Sequence, residues 1–213
     1  MSRRKPDERA VIYKLCSLAL QYPDEWLLSG REELTTAAAH LALGRSTAPL
    51  RSFFAWFGSA SPLELAREYV KTFDLGKRST LYLTFYSLGD RRDRGMALLR
   101  LKRLYRAAGL PLADDELPDF LPAMLEFASA AAPGQGDVVL REHRAPLELI
   151  RLSLHDQRSP YAAVLDAVCE QVGGMSSAER LSLDRLVAQG PPKELVGLEP
   201  FAPPEVMPVG ARR

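Results

Sequence analysis

The chain has 213 residues, 46% of them apolar, with 28 Lys and Arg against 27 Asp and Glu for a net charge of +1. That length and hydrophobicity are enough to bury a sizeable core, which excludes a disordered chain. The near-neutral charge excludes recruitment of nucleic acid or anionic lipid by a global field. With 35 Leu against 11 Val and 2 Ile, β-branched residues are too few for a sheet protein, and helix is the expectation throughout.

Start and stop signals cut the sequence into about ten helices in one globular all-α domain over 1–189, with 190–213 as a flexible tail. The first helix is expected from Asp7 to Gln21, with Val11, Leu15, Leu18 and Tyr22 at helical spacing and Pro23 beyond it. A second follows a capping box at Ser29-Gly-Arg-Glu32 and fades at Gly44. A third spans Ala48 to Phe57. Ser61-Pro-Leu-Glu64 opens a fourth that runs to Phe73, with a hydroxyl cap, a proline in the first turn and a box carboxylate. A fifth covers Ser79 to Leu88. From a cap at Asp90 a long sixth helix carries Leu98, Leu101, Tyr105 and Ala108 on one face and ends at Gly109.

Leu117 to Ala131 follows, with Pro118 and Pro122 near its start, where missing amides are tolerated. Val138 to His155 is read as one helix. Ser159-Pro160 opens another that closes at Gly173-Gly174, and Ser176-Ser-Ala-Glu179 caps the last, to about Ala188. Beyond Gly190 the sequence has six prolines and no periodicity, the composition of a mobile tail.

Signatures of catalysis are absent from the sequence. His40, His143 and His155 form no metal-binding pair at helical spacing, Gly134-Gln-Gly136 lacks the third glycine of a dinucleotide loop, and neither a phosphate loop nor a nucleophile elbow occurs. Cys16 and Cys169 are far apart and embedded in apolar patterns, so they read as buried thiols. The expectation is a non-enzyme with no cofactor and no metal. No apolar run approaches the roughly 18–20 residues of a membrane span, and the basic start lacks a continuous apolar region after it. A cytoplasmic protein without direct membrane insertion is expected.

Charge is segregated within the neutral total. Residues 67–106 hold 11 bases and four acids, whereas 110–150 hold eight acids and two bases. Such blocks either pair across neighbouring helices or, in the sharper reading, set an acidic groove for a basic peptide. No helix-turn-helix or aromatic strand platform accompanies the basic block, which argues against nucleic acid. Tyr69, Phe73, Tyr82, Phe85 and Tyr86 cluster at helical spacing. They suit a helical core or a groove for an amphipathic helix.

Several runs carry a resemblance. They are Glu68-Tyr-Val-Lys-Thr-Phe-Asp74, Arg78-Ser-Thr-Leu-Tyr-Leu-Thr-Phe-Tyr86, Arg94-Gly-Met-Ala-Leu-Leu-Arg-Leu-Lys102 and Glu116-Leu-Pro-Asp-Phe-Leu-Pro-Ala-Met-Leu-Glu-Phe127. In this order and spacing they resemble the NarJ family of nitrate reductase molybdenum cofactor assembly chaperones, redox-enzyme maturation proteins related to TorD and DmsD. The resemblance covers roughly residues 8–175. It implies an all-helical chaperone that binds the apo catalytic (alpha) subunit of respiratory nitrate reductase, including its N-terminal peptide, and keeps it competent for molybdenum cofactor and iron–sulfur cluster insertion.

Under that reading Tyr69, Phe73, Tyr82 and Tyr86 supply apolar contact, and Asp115, Glu116, Asp119 and Glu126 attract the peptide's basic side chains. A monomer is expected. Related chaperones for other molybdoenzymes often place histidine after the aspartate, and Phe120 here fits the nitrate reductase branch. The alternatives are a chaperone for a different molybdoenzyme and a general helical adaptor.

Overall fold

The computed structural model describes residues 7–76, 78–89, 92–113 and 116–190. The expected cap Asp90, the acids Asp114 and Asp115 and the tail from residue 191 lie outside them. Among the described residues the chain forms twelve α-helices and no β-strand, the all-α architecture that the leucine-rich composition predicts.

Helix α1 (Glu8–Ala19) is capped by the Asp7 carboxylate, which accepts from the Arg9 amide. It buries Ile12, Leu15, Cys16 and Ala19. The helix expected after Ser29 is α3 (Arg31–Ala39), and it ends before Gly44; a short helix that the sequence does not announce, α2 (Glu25–Ser29), precedes it. Ser29 does not open a capping box: it is the last residue of α2, and its hydroxyl donates to the Trp26 carbonyl at 2.7 Å. A cap needs non-helical backbone at the serine; α3 instead starts after Gly30 without a side-chain cap, while Asp24 caps α2 by accepting from the Leu27 amide.

Helix α4 (Thr47–Ser59) carries Phe53, Phe54 and Phe57 into the core. The capping box expected at Ser61 and Glu64 is complete, and it opens α5 (Pro62–Tyr69). That helix was expected to reach Phe73 as regular α-helix. It widens instead into a π turn over Val70–Asp74, which carries Thr72 and Phe73 into the interior.

Helix α6 (Leu83–Leu88) starts four residues later than its periodicity suggests. The backbone around Tyr82 is committed elsewhere: Tyr82 forms an isolated antiparallel bridge with Phe120, the Leu121 amide donates to the Leu81 carbonyl, and the Leu83 amide donates to the Asp119 carbonyl. Helix α7 (Arg92–Ala107) buries Leu101 and Tyr105, and the chain turns beyond it at Gly109 with φ +76°. Helix α8 (Leu121–Ala130) keeps Pro122 in its first turn, with Pro118 ahead of it.

The single helix expected over Val138–His155 is broken at His143 into α9 (Gln135–Glu142) and α10 (Arg144–Asp156). Pro146 is the physical reason. It has no amide to offer the Glu142 carbonyl, and its ring would collide with that carbonyl in a continuous helix. Helices α11 (Ala162–Val172) and α12 (Ser177–Gln189) complete the chain, α12 with the capping box expected at Ser176 and Glu179.

One hydrophobic cluster extends from Ile12 to Leu186. Helix α11 lies within it, packed against α1, α4, α9 and α10. It buries Ala162, Val164, Leu165, Ala167 and Val168, residues that occupy more than one face, as a helix enclosed on several sides must. At its start, the Tyr161 ring lies 5.2 Å from Phe53 and 4.8 Å from Phe73 between centroids, tying α4 to the π turn. Cys16 and Cys169 are both free and buried. Burial raises both thiols, Cys169 to about 12, so neither is poised as a nucleophile.

Candidate functional site

The seam between Tyr82 and Phe120 places an exposed aromatic beside an acid. Its backbone bridge sets the two rings face to face, with centroids 5.2 Å apart and a tilt of 32°. They line a surface depression of about 480 Å³ together with Ala113, Glu116 and Leu117. Tyr82 is 36% exposed and Leu117 40%, so apolar side chains reach solvent here within a lining of mixed character that includes the polar Glu116.

Beneath the depression is a buried polar cluster. Asp119 is fully buried, and its Oδ2 accepts from the Thr84 hydroxyl at 2.5 Å and from Arg94 Nη2 at 3.3 Å. Arg94 Nε donates to Thr84 Oγ1, and the guanidinium lies 6.0 Å from the Tyr82 ring centre and 5.7 Å from that of Phe85. Asp119 Oδ1 is buried without a hydrogen-bond partner among the described residues. The Tyr105 hydroxyl, on α7, donates to the Pro118 carbonyl at 2.9 Å and fixes the 116–120 segment from below.

Of the residues picked from the sequence, the structure brings Tyr82, Glu116 and Asp119 together, with Asp119 beneath the surface. Tyr69 and Phe73 are buried in the aromatic core, 4.9 Å apart between centroids, and the Tyr69 hydroxyl donates to the Leu20 carbonyl. Tyr86 is buried too, its hydroxyl donating to the Arg78 and Thr80 carbonyls. Burial holds the Tyr69 and Tyr86 phenols well above the usual tyrosine range, so both stay neutral. Glu126 lies on α8 and pairs at 2.5 Å with Lys14 of α1. Asp115 lies outside the described residues.

Leu117, Phe120, Thr84 and Arg94 also shape this place, and sequence reasoning did not select them. Phe120 and Leu117 stood inside the quoted 116–127 run, so a signal existed. Arg94 and Thr84 stand in such runs too, but charge alone does not mark Arg94 out among the bases of 67–106, because its role depends on a partner far along the chain. Among the described residues no group of three or more His, Cys, Asp and Glu side chains could hold a metal ion, and no helix is long and apolar enough to cross a membrane. The arrangement offers a binding surface: apolar contact at Tyr82 and Phe120, a carboxylate at Glu116 and a rigid charged support underneath.

Comparison with known proteins places this seam inside a family match. The model of the nitrate reductase delta subunit family matches residues 36–167. The chain is 33% identical over 175 residues to a probable nitrate reductase molybdenum cofactor assembly chaperone, NarJ, of Bacillus subtilis, an alignment covering 81% of this chain and 95% of that protein. It is 31% identical over 172 residues to the probable chaperone NarW of Escherichia coli, covering 80% of this chain and 72% of that one. A nitrate reductase-like protein, NarX, of Mycobacterium tuberculosis is 39% identical over 163 residues, 75% of this chain. The alignment spans only 24% of that longer protein.

Proposed function

The chain belongs to the nitrate reductase delta subunit family, and from that premise we propose that it is an assembly chaperone for the apo catalytic subunit of respiratory nitrate reductase, binding that subunit's N-terminal peptide at the Tyr82 depression. The observation that carries the reading is the likeness to the Bacillus subtilis assembly chaperone over nearly that protein's whole length. Binding of this kind keeps the subunit competent to receive its molybdenum cofactor and iron–sulfur cluster, and it involves no turnover.

The local chemistry supports the location. An amphipathic peptide helix would lay apolar side chains on Tyr82, Leu117 and Phe120 and set a basic residue against Glu116. Asp119 is too deep to meet the peptide directly, and it acts with the partly buried Arg94 to hold Tyr82 in place. Tyr86 braces α6 from within, whereas Tyr69 and Phe73 belong to the aromatic core around Tyr161. A chaperone must release its client, so an affinity near micromolar, about −8 kcal/mol, suits the role.

Titration calorimetry tests this, using the first about 18 residues of the catalytic subunit encoded in the same genome, long enough for about five helical turns. A scrambled peptide serves as control, and each titration is run at low and high salt. Saturable binding specific to the native order, weaker at high salt, is the expected result. Equal binding of both peptides would overturn the peptide site, and failure of the intact apo-subunit to co-purify with the protein would overturn the chaperone reading itself.

A further inference from the structure

A second depression, of about 530 Å³, shares no residue with the Tyr82 site. It lies where the loop before α4 meets α10, α11 and the loop into α12, and it is lined by Arg45, Arg144, Arg151 and Arg180. Three carboxylates also line it, Glu148, Asp166 and Glu170. Two of them are already engaged. Glu148 takes Arg144 at 2.8 Å on one oxygen and Arg151 at 2.5 Å on the other, while Asp166 takes Arg151 at 3.0 Å and His155 at 2.9 Å on the same oxygen.

Arg144 is the fixed point of this arrangement. Its side chain is 7% exposed. Nε donates to the Gly173 carbonyl at 3.1 Å, and Nη1 serves Glu148 and touches Cys169 Sγ. Nη2 has no hydrogen-bond partner among the described residues. A guanidinium clamped on two nitrogens presents the third as a preorganised donor, and planar donors of this kind match oxyanion geometry. Arg45 and Arg180 are exposed at the rim, with no ion pair among the described residues. Glu170 is the one lining carboxylate without such a pair, and it is exposed, free to turn its charge to solvent.

We propose that this depression binds a phosphate-bearing anion, with Arg144 as the fixed donor and Arg45 and Arg180 closing on the ligand from the rim. The volume exceeds that of a lone phosphate and falls in the range of small-molecule sites, so the phosphate can be free or part of a small organic molecule.

Phosphorus-31 line broadening and titration calorimetry on the full chain test the proposal, with inorganic phosphate and phenyl phosphate as probes and chloride at matched ionic strength as control. Saturable binding of at least one phosphate probe is expected. The double variant Arg45→Ala, Arg180→Ala, altered only at exposed positions, should weaken it at least about tenfold while keeping the wild-type melting temperature. Tighter binding of phenyl phosphate supports an organic phosphate, and equal binding supports the free anion. Neither probe saturating above the chloride control, or the double variant binding as well as wild type, overturns the site. Because no client peptide is used, failure here leaves the chaperone reading untouched.

Discussion

Asp119 and Tyr82 are neighbours whose substitutions should separate folding from binding. Asp119 is fully buried against Thr84 and Arg94, so Asp119→Ala removes the acceptor of the Thr84 hydroxyl and of Arg94 Nη2. Losing a hydrogen bond to a charged group in such a place should cost about 2–3 kcal/mol in urea unfolding. Asp119→Asn, which keeps an oxygen for the Thr84 hydroxyl, should cost less. If Asp119 only positions Tyr82, the folded Asn variant keeps the salt dependence of peptide binding, whereas Glu116→Gln flattens it. The reverse outcome would make the buried acid the electrostatic contact.

Tyr82→Ala removes a ring that is 36% exposed and packed on Phe120, so it should lower the unfolding midpoint by about 2–4 °C, roughly 1 kcal/mol, while weakening the peptide about tenfold, about 1.4 kcal/mol. Calorimetry beside a thermal melt reads both quantities. Tyr82 and the 116–120 acids could be picked from sequence because their residue types advertise binding. Which of the acids reach solvent could not, since that depends on how the segment pairs with the Tyr82 backbone.

At the scale of elements, glycines divide into those the packing requires and those it does not. A Cβ on Gly136 would meet the Ala128 Cα at 2.2 Å, where α9 crosses α8. Gly136→Ala must push the two helices apart, and overpacking of this kind costs about 1–3 kcal/mol. Gly95 lies inside α7 with nothing within 4 Å of the corresponding point. Gly95→Ala should therefore stabilise by about 0.5–1 kcal/mol, through helix propensity alone. Opposite shifts in denaturation midpoint for these two changes would check the packing directly, and a stabilising Gly136→Ala would refute the close approach.

The same scale shows what the sequence could and could not disclose. The boxes at Ser61 and Ser176 were legible because cap, spacing and box carboxylate are all local. The break at His143 has a local signal in Pro146, but the apolar period continues across it and masks that signal. The late start of α6 had no local signal at all, since it follows from hydrogen bonds to Asp119 and Leu121 far along the chain. The π turn after Tyr69 is likewise shaped by what it meets: Thr72 Oγ1 lies 3.1 Å from Ser159 Oγ.

Across the whole molecule, the two charge blocks are joined by pairs between them, Arg94 with Asp119 and Arg100 with Glu142. Other acids of the second block do not meet the first: Glu126 pairs with Lys14 and Asp137 with Arg9, while Glu148 pairs with Arg144 of its own block and with Arg151 just beyond it. The exposed pairs contribute little individually. Glu148 differs, because its side chain is 12% exposed and holds two arginines. Burial alone would push its carboxyl up, but the hydrogen bonds from Arg151 and Arg144 outweigh that and hold it below the ordinary range.

A carboxyl depressed in the folded state stabilises the fold fully above its unfolded value, about 4.3, and loses that contribution as pH falls through the folded value. Glu148→Gln should therefore be less stable than wild type at neutral pH by about 1–3 kcal/mol, the loss of charge-assisted hydrogen bonds. The gap should stay constant down to about pH 5 and close steadily below about pH 4.3 as the wild-type carboxylate protonates. Urea unfolding of both proteins across that range measures it. A gap that persists undiminished at pH 3 would mean that geometry rather than charge makes Glu148 important, and that the carboxylate is not what holds Arg144 and Arg151 in register.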